Sequence, residues 1–194
     1  MRLLIPVAFA LLLAGAVPLS GCGDSGCRGK GDAAVPIGGA FELADQTGRA
    51  VTDETLKGKY RVVYFGFTFC PDICPTELQA ISGALDMLGE DADKFTPVFI
   101  TIDPERDTQA VMGRYLKSFH LSFIGLTGTA EQIAKAAGAY RVFYSKDVPP
   151  DAPEAYMMNH SGYVYLMDCD GKYIRHFDAG SSAADMAKAM QELL

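Results

Sequence analysis

The chain has 194 residues and a formal net charge of −7, with 24 acidic side chains against 17 basic ones. Hydrophobic residues make up 49% of it, so a chain of this length can bury a full core. The acidic balance argues against nucleic acid and anionic lipid as partners and leaves a basic protein surface as an acceptable one.

The N-terminus has the pattern of a lipoprotein signal. A short basic head is followed by an apolar stretch, residues 3–17, that is too short and too interrupted by proline and glycine for a comfortable membrane span. The sequence Leu-Ser-Gly-Cys ending at Cys22 resembles the lipobox of bacterial lipoproteins, whose cysteine is lipidated. An ordinary signal peptide with an incidental Cys22 is the alternative. We predict a lipoprotein signal peptide over residues 1–21 and a lipid anchor at Cys22, on the periplasmic or extracytoplasmic side of a cell membrane.

Glycines and small polar residues dominate residues 22–39, which is typical of a flexible tether. The remaining residues, 40–194, have the length of one domain. Two cysteines outside any motif are interpreted as bystanders: Cys27, in the tether, as an accidental or partner-linked thiol, and Cys169, in a turn, as exposed or half-buried. Without the signal peptide the net charge is near −8.

Hydrophobic periodicity predicts alternating strands and helices along the domain. In chain order these are a β-hairpin over 40–51, a helical turn over 53–56, a buried strand over 62–69, a helix over 75–88, a strand over 96–102, a helix start over 103–108, a strand over 123–126, a capped helix over 127–139, a strand over 140–144, a loop over 147–155, a hairpin of 162–167 with 172–177, and a helix over 183–194. This order requires an α/β fold with a central, mainly parallel sheet, an antiparallel hairpin end, flanking helices and an N-terminal β-hairpin. The arrangement resembles the thioredoxin fold with insertions.

Cys70 and Cys74 lie in the turn between the first buried strand and the first helix. On a regular helix, residues four apart have Cβ atoms about 5–6 Å apart, whereas a relaxed disulfide requires about 3.5–4.5 Å. The spacing therefore favours a metal clamp without excluding a redox pair. The helix N-terminus lowers the pKa of a nearby thiol, and the thiolate is both nucleophile and metal ligand. The carboxylate of Asp72 opposes this ionisation unless it caps the helix, which is the interpretation we favour.

Two aspartates follow the next buried strand. Asp103 is expected at the same sheet edge as the cysteines, where functional groups gather in open α/β sheets. It could accept hydrogen bonds beside the site or only cap its own helix, and capping is the stronger interpretation. Asp107 is interpreted as a solvated acid in the first turn of that helix.

One of the three histidines is suited to join the cysteines. His120 and His176 fit packing or surface positions, whereas His160 ends the proline-bearing loop, in a segment that passes close to the redox turn in thioredoxin-like folds. One imidazole and two thiolates form a soft ligand set suited to Cu(I), with zinc an alternative by ligand type. A loop histidine bonded to the backbone is the other possibility. Met157 and Met158 could add a thioether but fit better as apolar cover.

Four segments together resemble the Sco/SenC family in their order and spacing. They are CPDICP from Cys70, TIDPERDT from Thr101, GLTG from Gly125, and His160-Ser161. The resemblance extends over nearly the whole domain, from about Gly39 to the C-terminus. It implies a membrane-tethered thioredoxin-like protein that binds one copper ion, Cu(I) or Cu(II).

By this resemblance the copper ligands are Cys70, Cys74 and His160, with Asp103 as a supporting residue. The sequence departs from the family pattern at Asn159, where many members have aspartate before the histidine, and in its two additional cysteines. The departure at Asn159 puts the surroundings of the ligands in doubt but leaves the ligand itself in place.

The implied function is assembly of the dinuclear copper centre of cytochrome c oxidase, by delivering copper, by reducing the cysteines of that centre, or by both. The expected partner is the copper-accepting oxidase subunit or another copper chaperone. In our hypothesis copper passes from an open site to acceptor thiolates by ligand exchange, with Phe67 and Phe69 as a docking surface or as core. A thiol–disulfide oxidoreductase without obligatory metal is the main alternative, and a peroxidase of the same fold a weaker one.

Overall fold

The computed structural model describes Cys27, Gly31, Asp32 and residues 34–194. The predicted signal peptide, the predicted lipid-attachment residue Cys22 and part of the predicted tether lie outside the described residues. Within the described part of the chain, no helix has the length and apolar character that a membrane span needs.

The domain contains nine strands and four α-helices within the described residues. In chain order they are β1 (Glu42–Asp45), β2 (Ala50–Thr52), β3 (Tyr60–Gly66), α1 (Ile73–Leu88), β4 (Phe95–Thr101), α2 (Gln109–Tyr115), β5 (Ile124–Thr127), α3 (Ala130–Ala139), β6 (Tyr144–Asp147), β7 (Met157–His160), β8 (Val164–Met167), β9 (Tyr173–Phe177) and α4 (Ala183–Gln191). Short 3-10 turns connect several of these elements.

Seven strands form one sheet in the order β2-β1-β5-β4-β3-β8-β9. The three central strands are parallel, and antiparallel pairs extend the sheet on both sides. The N-terminal hairpin joins the sheet beside β5, and the C-terminal hairpin joins it beside β3. The predicted thioredoxin-like α/β fold is therefore confirmed.

The central strand β3 is buried along its whole length, as its continuous apolar run predicts for a strand covered on both faces. Arg61 is the charged exception. Its guanidinium donates to the main-chain oxygens of Leu56, over 3.2 Å, and Asp53, over 2.8 Å. These bonds satisfy the buried charge-bearing group and fix the loop that leads into β3.

The segment from 140 to 160 differs from the prediction. The expected strand over 140–144 is displaced, because Tyr140 ends α3 and Arg141 adopts a φ of 58°, which turns the chain before β6 begins at Tyr144. The strand β7 was not predicted, since it is short and follows a proline-bearing loop. It pairs with β6 in a separate two-stranded sheet, with Tyr144 opposite His160.

The two cysteines interpreted as bystanders form a disulfide with each other. Cys27 and Cys169 have Cα atoms 6.3 Å apart, and Cys169 is only 2% exposed. Both interpretations were therefore wrong. The main-chain oxygen of Cys169 accepts a hydrogen bond from the N–H of Gly58, just before β3. The disulfide thus lies beside the N-terminal end of β3, the end opposite Cys70.

Candidate metal centre

The two cysteines of the predicted pair differ in their surroundings. Cys70 lies half-buried in the turn after β3, whereas Cys74 is fully buried in the first turn of α1, which begins two residues earlier than predicted. The N–H of Cys74 donates to Cys70 Sγ over 3.4 Å. Gly66, the last residue of β3, leaves room for the buried sulfur, because a Cβ there would lie 3.0 Å from Cys74 Sγ.

His160 reaches the pair from the end of β7. Its Nε2 lies 3.5 Å from Cys74 Sγ, across a sequence separation of 86 residues. Its Nδ1 lies 3.0 Å from the main-chain oxygen of Ser161, and since a carbonyl can only accept, Nδ1 carries the proton. The lone pair of Nε2 therefore faces the sulfur. The rings of Tyr64 and Phe67 meet the imidazole edge to face, each with centroids 6.0 Å away.

The pKa values of the two thiols are shifted in opposite directions. The hydrogen bond with Cys74 is the largest of the contacts that lower the pKa of Cys70 to about 4, with further help from the N–H groups of Asp72 and Cys74, although burial opposes the shift. The same hydrogen bond and burial raise the pKa of Cys74. The pair therefore favours ionisation of Cys70 over ionisation of Cys74.

Asp72 occupies the N-cap position of α1, but its side chain makes no capping hydrogen bond. The capping interpretation was therefore wrong. Its main-chain oxygen accepts instead from the hydroxyl of Thr76, over 2.9 Å, and its side chain is exposed to solvent. Water screens the carboxylate there, so its negative charge has little effect on the thiolate.

Asp103 does not cap a helix, and Asp107 is not solvated, so both of these interpretations were wrong. α2 begins later than predicted, at Gln109, and Thr108 caps it. Asp103 is buried and accepts hydrogen bonds from Arg106 Nε and from the hydroxyl of Tyr156. It lies at the edge of the site and contacts the residue that precedes β7.

Asp107 is a structural residue that the sequence did not reveal. It is fully buried, and its carboxylate accepts from the N–H and the hydroxyl of Thr68 and from the hydroxyl of Thr101. Burial raises the pKa of Asp107, although these hydrogen bonds oppose the shift. The carboxylate ties the turn that carries Cys70 to the end of β4.

The aromatic and methionine side chains near the site take different roles. Phe67 belongs to the core, whereas Phe69 is 61% exposed beside Cys70 and is available to a partner. Met157 and Met158 are half-buried on β7 and pack against the core, as expected for apolar cover. Asn159 is exposed.

The other two histidines have partners elsewhere. His120 Nδ1 lies 2.7 Å from the Ser122 hydroxyl, and His176 Nδ1 lies 2.6 Å from the Tyr173 hydroxyl. These contacts agree with the packing and surface roles expected for both.

The donor set fits a metal ion after a small adjustment. Nitrogen and sulfur ligands about 2.0–2.3 Å from one ion lie about 3.5–3.8 Å from each other, which the distance between Cys74 Sγ and His160 Nε2 matches. Among the described residues, however, no three His, Cys, Asp or Glu side chains are already grouped so as to hold an ion. The three donor atoms must therefore move closer to a common point before they can hold one.

Comparison with known proteins agrees with this geometry. The SCO1/SenC family model matches residues 29–194. The SCO2-like protein of Rickettsia conorii is 45% identical over 157 residues, which are 81% of this chain and 77% of that protein. The structure of Bradyrhizobium japonicum ScoI with copper bound is 45% identical and superposes with a TM-score of 0.75, covering 81% of this chain and 99% of that one. Yeast Sco1 with copper bound is 37% identical, with a TM-score of 0.73 and coverages of 80% and 87%. The resemblance seen in the sequence is thereby confirmed, and the chain belongs to the SCO1/SenC family.

Proposed function

We propose that this protein binds one copper ion through Cys70, Cys74 and His160 and serves the assembly of cytochrome c oxidase. The observation that carries the proposal is the 3.5 Å approach of His160 Nε2 to Cys74 Sγ, between segments far apart in sequence. Two thiolates and an imidazole suit Cu(I) by ligand type. Relatives from Bradyrhizobium and yeast with copper bound support the choice of metal.

The side chains suggest how copper enters and leaves. Cys70 is the accessible thiolate and makes the first contact, whereas Cys74 must lose its proton for the set to close, so copper binding releases a proton. The Nδ1 hydrogen bond to Ser161 keeps the His160 lone pair directed at the sulfurs. An incoming thiolate on the Cys70 side can bind the ion before Cys70 leaves, and the exposed ring of Phe69 offers that acceptor an apolar contact.

The membrane attachment is a separate proposal. We infer that residues 1–21 are a lipoprotein signal peptide, that Cys22 carries a lipid, and that the domain over 40–194 works on the periplasmic or extracytoplasmic side. The support is the sequence pattern. The proposed partner is the copper-accepting subunit of the oxidase or another copper chaperone.

A second candidate function is thiol–disulfide exchange without an obligatory metal. It is favoured by the geometry of the two free cysteines, in which the N–H of Cys74 donates to the sulfur of the half-buried Cys70 over 3.4 Å, and this contact helps to hold the pKa of Cys70 below its usual value. Cys74 directly behind it would act as the resolving cysteine, as in other dithiol reductases. Reduction of the acceptor cysteines and delivery of copper to them could then use the same pair.

Copper titration of the reduced full chain tests the proposal. Wild type should bind one equivalent tightly, Cys74→Ser and His160→Ala should lose most of the affinity, and the control His120→Ala should not. If wild type shows no measurable copper affinity and His160→Ala exchanges thiols at the wild-type rate, the reductase function is the correct one. Rapid peroxide consumption with sulfenate at Cys70 would instead indicate a peroxidase.

A further inference from the structure

Arg106, in the loop between β4 and α2, contacts both chain segments that carry the proposed ligands. Its guanidinium carbon lies 4.7 Å from the ring centroid of Phe69, the residue before Cys70. It also lies 3.7 Å from the ring centroid of Tyr156, the residue before the strand that ends at His160. Cation–π contacts at these distances are attractive and hold the two aromatic rings to one cation.

Hydrogen bonds fix the guanidinium in this place. Nε of Arg106 donates to Asp103 Oδ2, and Nη1 donates to the main-chain oxygen of Tyr156 over 2.9 Å. The hydroxyl of Tyr156 donates to the other oxygen of Asp103 over 2.8 Å. The side chains of Arg106 and Asp103 are 21% and 3% exposed, so solvent only partly screens this ion pair. The three residues form a closed set of contacts beside the site.

The hairpin of β6 and β7 depends on such side-chain contacts for its position. It forms its own two-stranded sheet and, within the described part of the chain, shares no strand pairing with the seven-stranded sheet. A two-stranded hairpin alone is marginally stable in water. Tyr156 is the only buried residue among 144–147 and 156–160, and Lys146 Nζ also lies 3.8 Å from its ring centroid. Tyr156 is therefore the main anchor of the hairpin, and Arg106 holds that anchor.

We propose that Arg106 is a positioning residue that holds the His160 hairpin against the Cys70 turn, so that the imidazole already lies beside the cysteine pair before copper arrives. The inference rests on the proposed function for the identity of the ligands. An assembled site binds more tightly because less ordering accompanies binding. Changes to residues that orient metal ligands typically reduce metal affinity about 10–100-fold.

The test compares Arg106→Met, which keeps the chain length and removes the guanidinium, with Arg114→Met on the exposed surface of α2. Copper affinity, measured by competition with a chelator, should fall about 10–100-fold for the first variant and stay unchanged for the second. Made in a His160→Ala background, Arg106→Met should cause no further loss, because the hairpin then carries no ligand.

A second readout needs no copper. In the apo protein, proton–proton contacts between His160 and the Phe67 ring should be seen by NMR in wild type and be weakened in Arg106→Met. If Arg106→Met does not fold, Arg106→Lys replaces it, since lysine keeps the charge beside Asp103 without the planar group.

Three results would overturn the inference: wild-type affinity in the Arg106 variant, an unchanged contact between His160 and Phe67, or an equal loss of affinity in the His160→Ala background. Wild-type protein that binds no copper would refute the proposed function instead, and the apo NMR contact would still decide the role of Arg106.

Discussion

Replacing Gly66 with alanine is expected to disturb the cysteine pair through a single added methyl group. A Cβ at this position would lie 2.9 Å from a ring carbon of Phe99 and 3.0 Å from both Cys74 Sγ and a ring carbon of Tyr64. All three neighbours are fully buried, and the sulfur is attached to the first turn of α1. None of these atoms is the end of a flexible side chain, so the neighbours must shift.

Overpacking of a buried position by a methyl group costs about 1–3 kcal/mol. We therefore expect Gly66→Ala to lower the free energy of unfolding by about that amount. The measurement is urea denaturation of protein in which Cys70 and Cys74 are reduced and the Cys27–Cys169 disulfide is intact. The displaced sulfur should also weaken copper binding. Gly138→Ala is the matched control: it adds the same methyl group in α3, where no described atom outside the adjoining residues and the backbone of that helix lies within 4 Å of the new Cβ, so it should stabilise the protein slightly.

The contribution of the sulfur can be isolated. With Cys74→Ala in the background, the added methyl group loses one of its three close contacts, so Gly66→Ala should cost less than it does in wild type. An unfolding free energy within about 0.5 kcal/mol of wild type for Gly66→Ala, the range of ordinary surface substitutions, would refute the reasoning.

Two further changes test other parts of the fold. Cys27→Ser should lower the unfolding free energy by about 2–5 kcal/mol in urea denaturation, because the disulfide to Cys169 closes a sequence separation of 142 residues; no loss would mean that the disulfide does not form in solution. Glu77→Gln concerns a fully buried carboxylate with one oxygen bonded to the N–H of Gly180 and the other without a hydrogen-bond partner among the described residues. Burial raises the pKa of Glu77, so the folded state binds its proton more tightly than the unfolded state does. The resulting stability is present below the usual glutamate pKa and is lost as pH rises through the folded-state value. Unfolding measured from pH 4 to pH 8 should show this loss in wild type and in the exposed control Glu90→Gln but less of it in Glu77→Gln, and identical pH profiles for all three would contradict the argument.

The strands and hairpins of the main sheet were predictable because their local patterns agree with their final environment. Apart from Arg61, β3 is apolar and it is buried along its whole length, and the helix predicted to be capped over 127–139 begins with a capping box of Thr129 and Gln132. The approach of His160 to the cysteines was predictable only through the resemblance to a fold. No local pattern shows that β7 pairs with β6, and that pairing sets the position of the histidine.

The errors concern residues whose environment depends on distant partners. An aspartate after a strand has the same local sequence whether it caps a helix, faces solvent or is buried. The buried position of Asp107 depends on its hydrogen bond with the N–H of Thr68, 39 residues away. The buried position of Asp103 depends on its hydrogen bond with the hydroxyl of Tyr156, 53 residues away. Likewise, nothing in the local sequence of Cys169 marks it as the partner of Cys27, 142 residues away.

If Cys22 carries the proposed lipid, the position of the Cys27–Cys169 disulfide determines which end of the domain faces the membrane. β3 spans seven residues, about 23 Å at the rise of an extended strand, with the disulfide beside its first residues and Cys70 beyond its last. Five residues reach at most about 18 Å, so a lipid on Cys22 would hold the disulfide end of the molecule close to the bilayer. With that anchor, Cys70, Cys74 and His160 would lie at the end of the domain away from the bilayer, where a protein in the aqueous phase could reach them.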